Sequence, residues 1–444
     1  MKRLALLLFI ASSALGATVR NDDSCDVGLA PAATLLLPYF EVSEHRPWAT
    51  TLFTVTNVTN VAQLARVTLW TDFSYPVFTF NIYLTGYDVQ AIDLYDVIWN
   101  GRIPTSGRHG MGTWVSPQGE FSESNPRLDE RECGRLPEVI PDFHIARLQT
   151  AFTEGTVAGV PQGPRGCLTA GNPHQEAVGY ATIDVVGNCG SANALDPEYF
   201  TSDIRFDNAL IGDYQQLNSD QHFAQANPMV HIRAIGERRL GRFRTNLPNT
   251  FYRRYQNASR PNADARQPLP STFAVRWING TVGSFETRFK IWLEGATGSA
   301  ATCAEYRKNG KLVVTEFVAF DEDENGEGMP SRGCQIVPTC IPPPGISLPA
   351  TSITSIADHE IFPHDILDTE PAGWLYLNLA DGDSASPIAR QAWVIASMVA
   401  DGRYSVDLDA ATLGNGCTNT SDMTAFTDGG VYDKFPGPAP DVNP

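Results

Sequence analysis

Residues 50–72 read TTLFTVTNVTNVAQLARVTLWTD, a segment in which apolar and polar side chains alternate on both sides of a short polar break. Apolar residues occupy every second position before and after the break, at Phe53, Val55, Val67 and Leu69. Strict alternation of this kind is typical of half-buried β-strands. The segment therefore predicts two strands joined as a hairpin, with the turn at Asn57-Val58.

Residues 272–294 match this segment without a gap at an offset of 222, which is 272 − 50. The identical pairs are Thr50/Thr272, Asn57/Asn279, Thr59/Thr281, Arg66/Arg288 and Trp70/Trp292. The turn of the second copy falls on Asn279-Gly280, and Asn-Gly is the strongest short hairpin signal. The match indicates an internal repeat, and convergence of two unrelated hairpins is the alternative.

The pattern along the whole chain predicts an all-β fold. We expect two related immunoglobulin-like antiparallel β-sandwich units, with long disulfide-stapled loops and one short helix from the N-cap Asp142 to Gly155. Further strands are expected at 180–186, 229–235, 312–320, 374–379 and 391–399. The predicted divisions are a signal peptide (1–16), an N-terminal sandwich unit (27–236), an Arg-rich connector (237–270), a C-terminal sandwich unit (271–436) and a tail (437–444).

The first 16 residues have the features of a secretion signal. Lys2 and Arg3 precede an apolar run, and small residues follow around Ala14. The run is far shorter than the roughly 20 residues that cross a bilayer, so the chain is expected to be secreted or extracytoplasmic and not membrane-spanning. The net charge of −18 argues against nucleic acid as a partner.

Eight cysteines are present, an even number behind a signal peptide, which predicts disulfide bonds whose connectivity stays open. They are Cys25, Cys133, Cys167, Cys189, Cys303, Cys334, Cys340 and Cys417. No Cys-x-x-Cys pair occurs, and this makes a zinc site a poor alternative.

Three phrases resemble a recurring group of uncharacterised bacterial exported proteins with a β-sandwich-like pattern. They are TLLLPYFEV (34–42), LTGYDVQ (84–90) and GRYSVDLD (402–409). The group has no assigned activity, so the resemblance implies bacterial origin and export and no site residue.

The segment 321–327 contains the first half of a calcium loop. Its candidate ligands are Asp321, Asp323, Asn325 and Glu327, with Gly326 at the sharp turn. Arg332 stands where an EF-hand has its bidentate Glu, so a true EF-hand is excluded and Ca²⁺ would at most stabilise this loop. A solvated acidic turn is the alternative.

A ligand surface is expected on the outward faces of three strands. Its candidate residues are Trp70, Arg66, Trp292, Arg288, Trp374 and Tyr376. Exposed aromatic rings on a rigid sheet stack on sugars, whereas burial under a second layer is the structural alternative.

Ten arginines lie between Arg233 and Arg276, opposed only by Glu237 and Asp264. We interpret the run as pairing with carboxylates of the flanking units, with a groove for an anionic polymer as the alternative.

No motif of a known catalytic class occurs, so the sequence supports no assignment as an enzyme. We expect a binding or structural protein of the cell exterior, with an envelope component or a polysaccharide as partner. The alternative is a secreted glycan-active hydrolase whose carboxylates the sequence does not locate.

Overall fold

A computed structural model describes residues 27–45, 49–103, 123–128, 140–157, 170–196, 198–220, 222–235, 237–239, 242–244, 250–255, 264–278, 285–295, 316–329, 351–355, 370–379, 390–400 and 404–413. Within these ranges the protein is mostly β-structure in antiparallel sheets.

The described residues of the N-terminal half form nine strands and two α-helices: β1 (Thr34–Val42), β2 (Ala49–Asn57), β3 (Gln63–Thr71), β4 (Pro76–Leu84), β5 (Val89–Asp93), α1 (Leu94–Ile98), α2 (Asp142–Thr153), β6 (Ala177–Val186), β7 (Leu210–Asn218), β8 (Phe223–Pro228) and β9 (Val230–Ile232). A short π-helix, Tyr199–Asp203, follows β6.

The connector holds the strand pair β10 (Glu237–Arg239) and β11 (Arg242–Arg244) and a 3-10 turn, Arg253–Tyr255. The C-terminal half contributes β12 (Thr272–Ile278), β13 (Phe285–Leu293), β14 (Glu316–Asp321), β15 (Gly326–Met329), β16 (Thr351–Ser355), β17 (Ala372–Asn378), β18 (Ala392–Ala400), β19 (Tyr404–Asp409) and β20 (Ala411–Thr412).

Each half contains a five-stranded and a four-stranded sheet. In the N-terminal half, sheet N5 has the order β4-β3-β6-β1-β9 and sheet N4 has the order β5-β2-β7-β8. In the C-terminal half, sheet C5 has the order β15-β14-β17-β12-β20 and sheet C4 has the order β16-β13-β18-β19. When β12 is counted as the first strand of the C-terminal half, as β1 is of the N-terminal half, C5 has the same strand order as N5 and C4 has the same strand order as N4.

The two sheets of each half pack against one another. A Cβ at Gly212 of β7 would lie 2.8 Å from Leu35 Cδ1 of β1, which places N4 directly on N5. In the other half, the rings of Phe273 on β12 and Trp393 on β18 lie 6.4 Å apart edge to face. One hydrophobic core runs through both halves.

The predicted inward positions are confirmed. Phe53, Val55, Val67 and Leu69 are all buried, as are Val275, Trp277, Phe289 and Ile291. The five further strands are present with shifted ends, and α2 is the predicted helix, although Pro141 and not Asp142 is its N-cap. Leu148 and Phe152 bury its apolar face, and Gly155 ends the segment at φ +65°.

The predicted hairpins are wrong. β2 lies in N4 and β3 in N5, so the chain crosses between sheets; likewise β12 lies in C5 and β13 in C4. Asn57 organises the first crossing, since its side-chain amide donates to the carbonyls of Val61 (2.8 Å) and Thr85 (2.9 Å). Asn279 and Gly280 lie outside the described residues.

The strand order of the sheets does not follow the gapless match between positions 50 and 272. By position in the sheets, β12 corresponds to β1 and β13 corresponds to β2. The gapless offset of 222 instead pairs β12 with β2 and β13 with β3, and so compares strands that are one place apart along the chain. The error has a physical reason, because neighbouring strands that bury one face share the same period of two.

Candidate functional site

A cavity of about 200 Å³ lies where the two halves meet. It is bounded by β1, β2, β7 and β8 of the N-terminal half and by β13 and β18 of the C-terminal half. Its lining residues are Glu41, Ala49, Thr50, Gln216, Leu217, Asn218, Phe223, Arg288, Lys290, Ser397 and Val399. The cavity is therefore lined by both charged and apolar side chains.

Lys290 of β13 is the buried cation of this cavity, with 3% of its side chain exposed. Its ammonium donates to Oε1 of Gln216, to Oε1 of Gln225 at 2.9 Å and to Oδ2 of Asp407 at 2.7 Å. Burial lowers the pKa of Lys290, and the carboxylate of Asp407 acts in the opposite direction. Because the ammonium has three N–H groups, these three acceptors satisfy it completely.

These contacts join the two halves. Gln216 and Gln225 belong to β7 and β8 of N4, whereas Asp407 belongs to β19 of C4. Asp407 also accepts a short hydrogen bond from the hydroxyl of Ser397. A buried ion pair with every proton matched costs less than an unpaired charge, so the arrangement fixes how N4 and C4 meet.

Glu41, near the end of β1, is the one carboxylate among the described residues that line the cavity. Burial raises the pKa of Glu41 above its ordinary value. The hydroxyl of Tyr39, at 3.2 Å, donates to it, and this bond and the charges of Lys290 and Arg288 act to lower the pKa. A raised pKa favours the protonated carboxyl, and only that form can donate a hydrogen bond as well as accept one.

Arg288 stands two residues before Lys290 and therefore on the same face of β13. Its Nη2 donates to Oε2 of Glu286 at 3.3 Å, and its side chain is 37% exposed. Arg288 was predicted as a ligand residue, and the structure places it at the cavity.

The expected exposed aromatic surface is wrong for three of its four rings. Trp70, Trp292 and Tyr376 are 1%, 3% and 4% exposed. Trp70 stacks on Tyr180 with centroids 5.8 Å apart, and Tyr180 meets Trp292 edge to face at 5.9 Å. The packing of the two halves thus buries two tryptophans that the alternation placed outside.

Arg66 is also fully buried, among residues of the N-terminal half itself. It pairs with Asp203 at 2.6 Å and donates to the side chains of Asn81 and Asn188. Trp374 is half-buried and stacks on Phe320 with centroids 4.0 Å apart. The six predicted ligand residues are therefore not brought together as one surface.

The acidic segment forms a tight turn after β14. The carboxylate of Asp321 accepts from the backbone N–H groups of Asp323 (2.9 Å) and Asn325 (2.8 Å) and from the Asn325 amide (2.7 Å). Burial acts to raise its pKa, but these bonds outweigh it and hold the pKa of Asp321 below its ordinary value. Within the described ranges no group of three or more metal-binding side chains occurs, and calcium stays a prediction.

From the Arg-rich run, the structure buries Arg266 completely between carboxylates. It lies 3.6 Å from Asp184 and 3.2 Å from Asp264. Asp184 also accepts from the hydroxyls of Tyr199 (2.6 Å) and Tyr252 (2.7 Å). Arg266 thus ties the connector to N5 of the N-terminal half, and the interpretation of the run as a link between both units stays a prediction.

Sequence reasoning missed Glu41 and Lys290. Glu41 had a signal, since it is the only charged residue of β1, and a charge in an otherwise apolar strand needs a partner. Lys290 had none, because it lies with Arg288 on the polar face of an alternating strand, where a charge is ordinary.

In the described part of the chain, no helix has the length and apolarity needed to cross a membrane. Comparison with protein-family models, with curated proteins and with solved structures finds no match to this chain.

Proposed function

We propose that this protein is a secreted binding protein of the cell exterior, and that the cavity between its halves is the ligand site. The observation that carries the proposal is the convergence of Glu41, Arg288 and Lys290 on one concave site. Concave sites with few polar groups and shifted pKa values are preferred places for ligands.

The same proposal treats the halves as two related immunoglobulin-like sandwich units that arose by duplication. Its support is the common strand order of N5 with C5 and of N4 with C4. A site between two units suits a binding protein because each unit can supply one wall.

The cell exterior and paired cysteines remain part of this proposal. Cys189 is the only one of the eight cysteines within the described ranges. Export is supported by the signal-like first 16 residues, and pairing of the cysteines is supported by their even number.

A secreted glycan-active hydrolase is the second candidate function. The raised pKa of Glu41 favours it, because a general acid must hold its proton near neutral pH. The usual mechanisms of glycoside hydrolysis need two carboxyl groups, one on each side of the scissile bond. Glu41 supplies the one carboxyl group in the described part of the cavity wall. We therefore place binding first.

Capture of envelope polysaccharide by the immobilised mature chain tests the proposal. Leu217→Trp should fill the cavity mouth and reduce capture at least about tenfold, since one well-placed side chain can remove most binding energy. Ala226→Trp is the matched control, because Ala226 is exposed on β8 and lies outside the lining. Equal capture by the Leu217→Trp protein and the native protein would refute the cavity as the ligand site.

A further inference from the structure

The cavity wall carries charges that compensate one another. Lys290 is matched by Asp407 at 2.7 Å and Arg288 by Glu286 at 3.3 Å. Burial raises the pKa of Glu41 and so disfavours a further negative charge in the wall. The described wall therefore carries no excess of positive charge that would select an anion, and the overall charge of −18 repels anions at long range.

The lining side chains that can still form hydrogen bonds include both donors and acceptors, as a neutral polar ligand requires. Arg288 uses Nη2 for Glu286, which leaves Nε and Nη1 as donors among the described residues. Thr50 donates to Asp93 at 3.0 Å and so presents its oxygen as an acceptor. Glu41 adds an acceptor, and in its protonated form also a donor; hydroxyl groups satisfy this mixture without a net charge.

The apolar part of the wall comes from Leu217, Phe223 and Val399. Phe223 is a half-buried aromatic ring on β8. A ligand must therefore present C–H groups on one side and hydroxyl groups on another, as the ring of a sugar does.

The size of the cavity restricts the ligand further. Sites for drug-sized ligands measure roughly 300–1,000 Å³, whereas this cavity is about 200 Å³. It accommodates a single small ring and not an extended oligomer.

We infer that the cavity binds one neutral sugar ring, either free or as the end of a glycan chain. This inference rests on the proposed function and names the chemical class of its ligand.

Calorimetric titration of the mature chain with sugars that differ in charge tests the inference. The probes are the neutral sugars glucose, galactose, mannose and N-acetylglucosamine, the cationic sugar glucosamine and the anionic sugar glucuronate. At least one neutral sugar should bind, about tenfold or more tightly than either charged one, and its affinity should be the same at low and high salt.

Phe223→Ala should weaken the binding of that sugar about tenfold by removing the aromatic wall. Val406→Ala on β19 is the control, because Val406 is exposed and lies outside the lining. Tighter binding of a charged sugar, or binding of no neutral sugar, overturns the inference. If Leu217→Trp still abolishes envelope capture in that case, the proposed function stands and only the ligand class is wrong.

Discussion

At the scale of single residues, two buried cations of the described ranges, Lys290 and Arg266, are each held by several acceptors. The ammonium of Lys290 has three acceptors, and the guanidinium of Arg266 lies between two carboxylates. Removing one partner of such a buried pair leaves an uncompensated charge, which typically costs about 3–5 kcal/mol. The positions of these groups therefore restrict how the strands that carry them can pack.

Asp321 tests whether the acidic turn needs calcium. Its carboxylate already caps the turn through three hydrogen bonds, so Asp321→Ala should destabilise the protein by about 1 kcal/mol. Thermal melts with calcium and with chelator should show the same loss. A loss seen only with calcium would instead support the metal site at Asp321, Asp323, Asn325 and Glu327.

Glu41 predicts a dependence of stability on pH. Its folded pKa is raised above the ordinary value of 4.5, so folding favours the protonated form. Its contribution is complete below that ordinary value and is lost as the pH rises through the folded pKa. Glu41→Gln should therefore gain stability relative to the native protein as the pH rises from 4 to about 7. Urea unfolding across this range measures the difference, and a constant difference would contradict it.

The residue scale also shows what alternation can and cannot predict. It correctly placed Phe53 and Val275 in the core, because burial of one sheet face depends only on the strand itself. It placed Trp70 and Trp292 at the surface, but their other neighbours come from distant parts of the chain. Exposure of the second face therefore depends on packing that no local pattern records.

At the scale of elements, the end of β13 approaches the turn after β3 so closely that a side chain cannot fit. A Cβ at Gly295 would lie 1.9 Å from Ser74 Oγ, and Ser74 itself has φ 62°. Gly295→Ala should cost about 1–3 kcal/mol through overpacking.

Ser74→Gly supplies the matched rescue for this contact. It removes the obstructing hydroxyl and places glycine at a positive φ, which glycine adopts readily. The double variant should recover most of the loss in a urea unfolding experiment. If Gly295→Ala alone is neutral, the two halves do not meet at this contact.

Strand positions could be predicted from sequence, whereas sheet membership could not. The pattern located β2, β3, β12 and β13 to within a few residues. Nothing in it distinguishes a hairpin from a crossing, because both need a polar turn between two alternating strands. The strand order that the two halves share is visible only in their sheets.

At the scale of the whole molecule, the halves are joined by polar contacts as well as by a continuous core. N4 and C4 meet around Lys290, and Trp292 of β13 contacts the rings of Tyr180 and Phe251. Because the cavity wall is built from both halves, its shape depends on their joint packing. Sequence alone gave no sign of this cavity, since its walls come from six separate strands.

The burial of Lys290 between the two halves is the central claim, and reductive methylation followed by peptide mass spectrometry tests it most directly. Lys290 is 3% exposed, so its rate of modification in the native protein should be at least about 100-fold slower than in urea. The peptide that contains Lys290 identifies it, since the other lysines are Lys2, Lys308, Lys311 and Lys434. Modification of Lys290 at the same rate in native and unfolded protein would contradict the account.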